Sequence, residues 1–416
     1  MAPGSAASNL ERNMRRQVRP AVLVSYAGFV LVGVNSGVSG VLLPSQMASY
    51  GVDRATIGIT FFAIAAGFAL AGLGTGTLIH RFGVRISLAT AGGAYILSTL
   101  YLAIRPPFAA FVLAQVVTGF ATGIFESALN VYLAGLPGAA SLLNRLHGFF
   151  GVGALIGPPL AAWIVGFASW TGVCFVLALA CIPLVGGFLL AHPGPAPTAP
   201  RPDPPPGTLE SPGPVVAVGG GNSILGAALR DRGVLLGSAM LAVYVGLEIS
   251  IGNWGFSYLV QGRALPVSLA GYMVSAYWLG LTLGRFLISP IATRIGMMTA
   301  RMMYGCLIGI TATAALAWLS PTPIACGALA LLGFFLGPVF PTTMAIAPRL
   351  TQARLVPTAI GVMNAASVVG GSALPWLAGT ITQNTRMWAL LPFAIALALA
   401  QYVVWRPITG YLGEDG

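Results

Sequence analysis

Long apolar runs constrain this chain more than any other feature. Runs of more than about 18 residues almost free of charge recur along nearly the whole sequence, each long enough to cross roughly 30 Å of hydrocarbon as a helix. Asp, Glu, Lys and Arg make up only 7% of the 416 residues, against about 25% in soluble domains. A membrane β-barrel would show short alternating segments instead. Helices remain as the way to satisfy the backbone in lipid. The expected fold is therefore an all-α membrane protein.

Pro, Gly and Arg clusters mark the loops. They predict helices near 21–48, 56–79, 86–104, 108–134, 146–166 and 170–191, then 233–260, 268–292, 300–319, 323–346, 357–381 and 387–405. The Pro-rich stretch after His192 cannot bury a core and reads as a linker. The chain thus divides into a cytoplasmic tail (1–20), a six-helix bundle (21–191), a cytoplasmic linker (192–232), a second six-helix bundle (233–406) and a tail (407–416). The first apolar run follows four arginines but far exceeds the about 7–15 residues of a signal peptide, so it reads as an uncleaved helix.

The net charge is +11, and all twenty basic residues are Arg. They stand singly between apolar runs and form no basic face, which argues against nucleic acid and makes them topology signals. Fifteen fall on the side of the N-terminus. Arg54, Arg105, Arg263 and Arg386 fall opposite, and Arg285 lies inside a helix. Both termini are expected on the cytoplasmic face of a plasma (inner) membrane.

The halves repeat with a constant offset of 213 residues. Gly67 matches Gly280, Arg81-Phe82-Gly83 matches Arg294-Ile295-Gly296, Gly157 matches Gly370, and Trp163-x-x-Gly166 matches Trp376-x-x-Gly379. Each half has an even number of helices, so the repeat is parallel, about an axis along the membrane normal. Cys174, Cys181, Cys306 and Cys326 lie in apolar runs without CxxC spacing, and no metal site or cofactor is expected.

Two six-helix halves, a central linker and this repeat resemble the major facilitator superfamily. The stretch Gly76-Thr-Leu-Ile-His80-Arg81-Phe-Gly83-Val-Arg85 looks like its signature loop, with His80 where an Asp is usual. Within it, the chain most resembles the fucose–galactose–glucose:proton symporter group. Glu126-Ser-Ala-Leu-Asn130, His147-Gly-Phe-Phe-Gly-Val-Gly-Ala-Leu-Ile-Gly157-Pro158, Tyr244-Val-Gly-Leu-Glu248 and Gly284-Arg285 carry that resemblance. It implies the twelve-helix facilitator fold; structural or gating roles are expected for Arg81, Gly83, Arg85, Arg285, Arg294, His147, Gly157 and Pro158. One departure is Gly40 before Val41-Leu42-Leu43-Pro44, where that group can carry an acid. A coupling scheme needing that carboxylate cannot operate here.

Of nine acidic residues, only Glu126 and Glu248 lie mid-helix. A charge at the bilayer centre costs at least about 2.5–3.5 kcal/mol, so each is a functional candidate by default. Removal from water disfavours the ionised carboxylate, which is what a proton-binding site near neutral pH requires. Glu126 and Asn130 share a helix face, as proton acceptor and hydroxyl binder or as a structural clamp. Glu248 either binds substrate or pairs with Arg285, the one cation placed within a helix. Sugars need hydrogen-bonding side chains and aromatic faces. Asn35, Asn130, Asn253, Trp254, Tyr277 and Asn364 are the expected contacts, with Trp278 and Trp376 as further aromatics.

These readings predict a monomeric, proton-coupled carrier of a monosaccharide-like solute, working by alternating access in the lipid bilayer. The rivals are an efflux carrier for drugs or metabolites and a membrane sensor that binds without transport. The helix-5 stretch Gly153–Pro158 partly matches a drug-antiporter motif but lacks its closing Gly-Gly. No nucleophile–base pair appears, so an enzyme is not expected.

Overall fold

The computed structural model describes residues 3–192 and 221–413, and every regular element in them is helical. The linker residues 193–220 and the ends 1–2 and 414–416 lie outside the described residues. Eleven helical segments are long and apolar enough to cross a membrane, and one of them, Arg54–Ala103, is 50 residues long. That segment contains the helix Ile59–Ala103, which is broken at Gly83 (φ 77°, ψ 166°) into α2 (59–82) and α3 (84–103). Twelve crossings result.

In chain order the others are α1 (Pro3–Tyr50), α4 (Phe108–Ala134), α5 (Ala139–Val165), α6 (Trp170–Ala191), α7 (Arg232–Ser257), α8 (Val267–Arg294) and α9 (Thr299–Leu319). α10 runs Thr322–Leu336 and continues as Val339–Ala345 past Gly337-Pro338; α11 is Val356–Asn384 and α12 is Leu390–Leu412. A positive φ suits glycine because it has no Cβ to clash. The repeat partner of Gly83, Gly296, adopts φ 67° and ends α8 in the same way.

Helical structure extends beyond the expected helices in four places. The N-terminal tail is helical from Pro3, since its Ser, Asn and Arg residues hold nothing that stops a helix before Pro20. The C-terminal tail begins six residues late, because α12 continues through Pro407 until Gly413 turns left-handed at φ 63°. The end of the linker carries a short helix, Gly221–Ala228. The stretch expected as a loop at 80–85 is a one-residue break, because Gly83 alone takes non-helical angles.

Glycines set the packing inside each half. A Cβ on Gly67 of α2 would strike the Val116 carbonyl of α4, and one on its repeat partner Gly280 of α8 would strike the Ala330 carbonyl of α10. A Cβ on Gly157 of α5 would lie 2.8 Å from the Val34 carbonyl of α1, and one on its partner Gly370 of α11 would strike the Ala242 carbonyl of α7. Small residues let backbones approach in lipid, where helices gain from close packing rather than from the hydrophobic effect. The internal repeat is therefore a repeat of helix–helix contacts.

Three of the four arginines on the minority side bind helix C-termini, where the last carbonyls lack partners. Arg105 reaches the Ser49 carbonyl near the end of α1. Arg54 Nη1 donates to the Thr382 carbonyl of α11 at 2.8 Å. Arg263 donates to the carbonyls of Ala317 (2.6 Å), Trp318 (2.9 Å) and Ser320 (2.7 Å) at the end of α9.

Candidate transport site

Glu248 and Arg285 form an ion pair, with Arg285 Nη2 3.3 Å from Glu248 Oε1. Their side chains are 10% and 29% exposed, so the pair is screened but not sealed. Tyr277 donates its hydroxyl to the Glu248 backbone carbonyl at 3.0 Å. Antiparallel α7 and α8 bring these groups together, and Gly284 lets α8 lie against the Phe334 carbonyl of α10. The same arginine acts electrostatically on Glu126 of α4 and His147 of α5, both in the other half.

Asn130 donates its amide to the Glu126 backbone carbonyl at 2.8 Å, leaving its carbonyl oxygen as the group able to meet a solute. Asn35 accepts from the Tyr95 hydroxyl at 2.9 Å. Tyr95 is fully buried on α3, and no spacing or charge in the sequence marks it. Asn253 donates to the Ile249 carbonyl at 3.0 Å, while its Oδ1 is buried without a partner. Asn364 is exposed on α11.

Two of the expected aromatic contacts have their polar atoms engaged within the protein. Trp254 is fully buried, donates Nε1 to the Pro375 carbonyl at 2.8 Å and packs on Gly379, so it pins α7 to α11 and offers no free polar edge. Tyr277 has its hydroxyl taken by Glu248 and its ring packed edge-on against Trp278. Both serve the site by fixing helices around it.

The residues expected in gating separate into two groups. Arg81 is exposed and lies over the Phe82 ring at 5.8 Å, beside the Gly83 break and half-buried Arg85; exposed Arg294 stands at the matching turn of the second half. Gly157 packs on α1 inside its own half, whereas Pro158 lies where the halves meet. Pro158 Cδ would be 3.0 Å from a Cβ on Gly37 of α1, and its carbonyl 3.1 Å from one on Gly271 of α8. His147 meets the Phe29 ring of α1 edge-on at 5.5 Å.

The halves also close on each other at the end bearing the α1–α2 connection. Arg54 Nη2 donates to Gln261 Oε1 at 2.9 Å, and the Arg54 amide to Gln383 Oε1 at 3.3 Å. Trp376 donates to the Ala55 carbonyl at 3.1 Å. Gly40 lies so near α7 that a Cβ there would be 2.6 Å from the carbonyls of Gly252 and Asn253. Along α5 and α8, Ser275 Oγ donates to the Leu155 carbonyl. Sequence reading missed Arg54 because it looked like an ordinary loop charge.

Among the described residues no group of three or more His, Cys, Asp or Glu could hold a metal ion, and all four cysteines are buried and unpaired. The family model described as Major Facilitator Superfamily matches residues 25–375 and 251–411. The chain belongs to that superfamily. It is a multi-pass membrane transporter of the superfamily's all-α fold, in a family of transporters rather than enzymes.

Relatives of this superfamily member agree in extent. It is 26% identical over 399 residues to "Bypass of stop codon protein 6" of Saccharomyces cerevisiae, covering 88% of this chain and 78% of that one. It is 21% identical over 391 residues to the "Glucose/mannose transporter GlcP" of Bacillus subtilis, covering 93% and 94%. In three dimensions it matches the D-xylose–proton symporter with TM-score 0.70 over 92% of this chain and 97% of that one, at 16% identity, a likeness of fold.

Proposed function

We propose that this facilitator carries a monosaccharide together with protons, with both termini in the cytoplasm. The observation that carries the reading is the Glu248–Arg285 ion pair, with Glu126 as the other acid set within an apolar helix of the opposite half. A neutral Glu126 holds Arg285 weakly, so the cation stays with Glu248. An ionised Glu126 attracts it across the seam. Proton binding at Glu126 therefore changes how strongly the halves are held, which is the coupling that alternating access needs. Nearby, the Asn130 carbonyl and the Asn253 Oδ1 offer acceptors for hydroxyls. The two sugars named for the Bacillus subtilis relative, which aligns over 93% of this chain, support the solute class.

The test is uptake of radiolabelled glucose, mannose and galactose into proteoliposomes with and without an inward proton gradient. Gradient-driven accumulation is expected, and Glu126→Gln should keep exchange while losing the gradient dependence. Unchanged gradient-driven accumulation by Glu126→Gln removes Glu126 as the coupling group. If no sugar is taken up, and an apolar drug alone raises the melting temperature, the solute class is wrong.

A further inference from the structure

Trp278 of α8 is held on several sides, and none of the contacts uses its N–H. Its ring lies over Gly252 of α7, where a Cβ would stand 2.7 Å from Cζ2. Tyr277 packs edge-on at 5.4 Å between ring centroids, and Thr282 donates its hydroxyl to the Trp278 carbonyl at 2.9 Å. Yet Trp278 Nε1 is buried with no hydrogen-bond partner among the described residues. Tryptophans that pin this fold do find one: Trp170 donates to Ser49, Trp254 to Pro375 and Trp376 to Ala55. Trp405 shares the orphaned N–H, but it lies on α12, which packs on α7 and α9 away from the seam between the halves.

Trp278 and Arg285 are seven residues, about two turns, apart and share a face of α8. Gly252 and Glu248 are four apart and share a face of α7. The indole therefore forms a tier above the ion pair, directly under the point where Gly40 closes on Gly252 and Asn253. On that tier a second polar atom is unmatched: Asn253 Oδ1 is buried and free, because its amide nitrogen already serves Ile249. The indole packs on Gly252, the chain neighbour of Asn253, so an unmet donor and an unmet acceptor share one tier, and buried groups left so are costly in the unloaded protein. Neighbouring hydroxyls of a sugar supply one acceptor and one donor.

We propose that Trp278 contacts the substrate and determines specificity, its Nε1–H donating to one hydroxyl of a polyol while an adjacent hydroxyl donates to Asn253 Oδ1. The assignment rests on the sugar reading above. It makes the closed end of the site a reader of one vicinal pair of hydroxyls, and leaves the ion-pair tier to the proton. Gly252 is then conformationally silent but sterically required, since any side chain displaces the indole.

The experiment measures binding of D-glucose, D-mannose, D-galactose and their monodeoxy analogues to the purified full-length protein by calorimetry. Three proteins are compared: wild type, Trp278→Phe, which keeps a ring and removes the N–H, and Gly252→Ala, which removes no polar atom but displaces the indole. Wild type should bind one monodeoxy analogue about tenfold to a hundredfold more weakly than its parent. Trp278→Phe should lose the same factor for the parent and show no further loss for that analogue, and Gly252→Ala should weaken the parent too. Additive penalties in Trp278→Phe, or parent binding equal to wild type in both variants, overturns the assignment while leaving the sugar reading intact. Wild type that binds no sugar overturns both.

Discussion

Arg54 Nη1 donates to the backbone carbonyl of Thr382 at 2.8 Å, joining two residues 328 positions apart in opposite halves. The bond lies at the C-terminal end of α11, and the same guanidinium also holds Gln261. Together with the Trp376–Ala55 bond it keeps this end of the transporter shut.

Removing the clasp should shift the equilibrium between conformations. A charge-assisted hydrogen bond contributes about 1.5–3 kcal/mol, and about 1.4 kcal/mol changes a population ratio tenfold. Arg54→Ala should thus raise the population open at this end by roughly tenfold or more. Spin labels at exposed Ala48 and Asn384 would report it as a longer distance. An unchanged distance distribution would mean that Arg54 does not hold the state.

The repeated glycines should be sensitive in pairs. Gly67→Ala and Gly280→Ala each drive a Cβ into a backbone carbonyl, whereas Gly72, on the same helix as Gly67, has nothing within 4 Å. Overpacking typically costs about 1–3 kcal/mol. Both variants should melt several degrees lower than wild type in detergent, with Gly72→Ala unaffected. Equal melting of all three would refute the close-contact account.

The Glu248–Arg285 pair should behave as a coupled unit. Glu248→Gln strands the Arg285 charge, at about 1–3 kcal/mol given its 29% exposure, below the roughly 3–5 kcal/mol of a fully buried pair. The double variant Glu248→Gln/Arg285→Gln should recover part of that loss. Additive losses in a double-mutant cycle of thermal stability would mean that the two side chains do not interact.

His192, just beyond the end of α6, predicts an acid-sensitive contribution to stability. Its imidazole is buried between Tyr132 and Phe188 and lies 3.2 Å from Ser25 Oγ. Burial lowers its pKa from 6.5 to about 4. A group depressed in the folded state stabilises above its unfolded pKa and loses that contribution as pH falls toward the folded one. Stability should therefore decline between pH 6.5 and about 4 in wild type, and less steeply in His192→Gln. Parallel pH profiles of the two proteins would exclude His192 as the source.

Much of the fold was legible because membrane spans obey a local rule. Each apolar run declares its own helix, and arginine-bearing glycine turns such as Arg81-Phe82-Gly83 and Arg294-Ile295-Gly296 declare where helices break. The two mid-helix carboxylates were legible for the same reason, since a charge in an apolar run is conspicuous wherever it points. What each side chain touches was not legible. Trp254 and Tyr277 read as solute contacts, but their polar atoms are taken by Pro375 and Glu248.

The sequence by itself determined twelve helical crossings in two related halves, because hydropathy and the glycine register are properties of single segments. Only the tertiary structure decided that Arg285 pairs with Glu248, that Arg54 clasps the opposite half, and that Trp278 keeps an unmatched N–H. Those relationships depend on the rotation and depth of one helix against another. Close backbone contacts at Gly67, Gly157, Gly280 and Gly370 set that rotation, and a one-dimensional pattern does not encode its outcome.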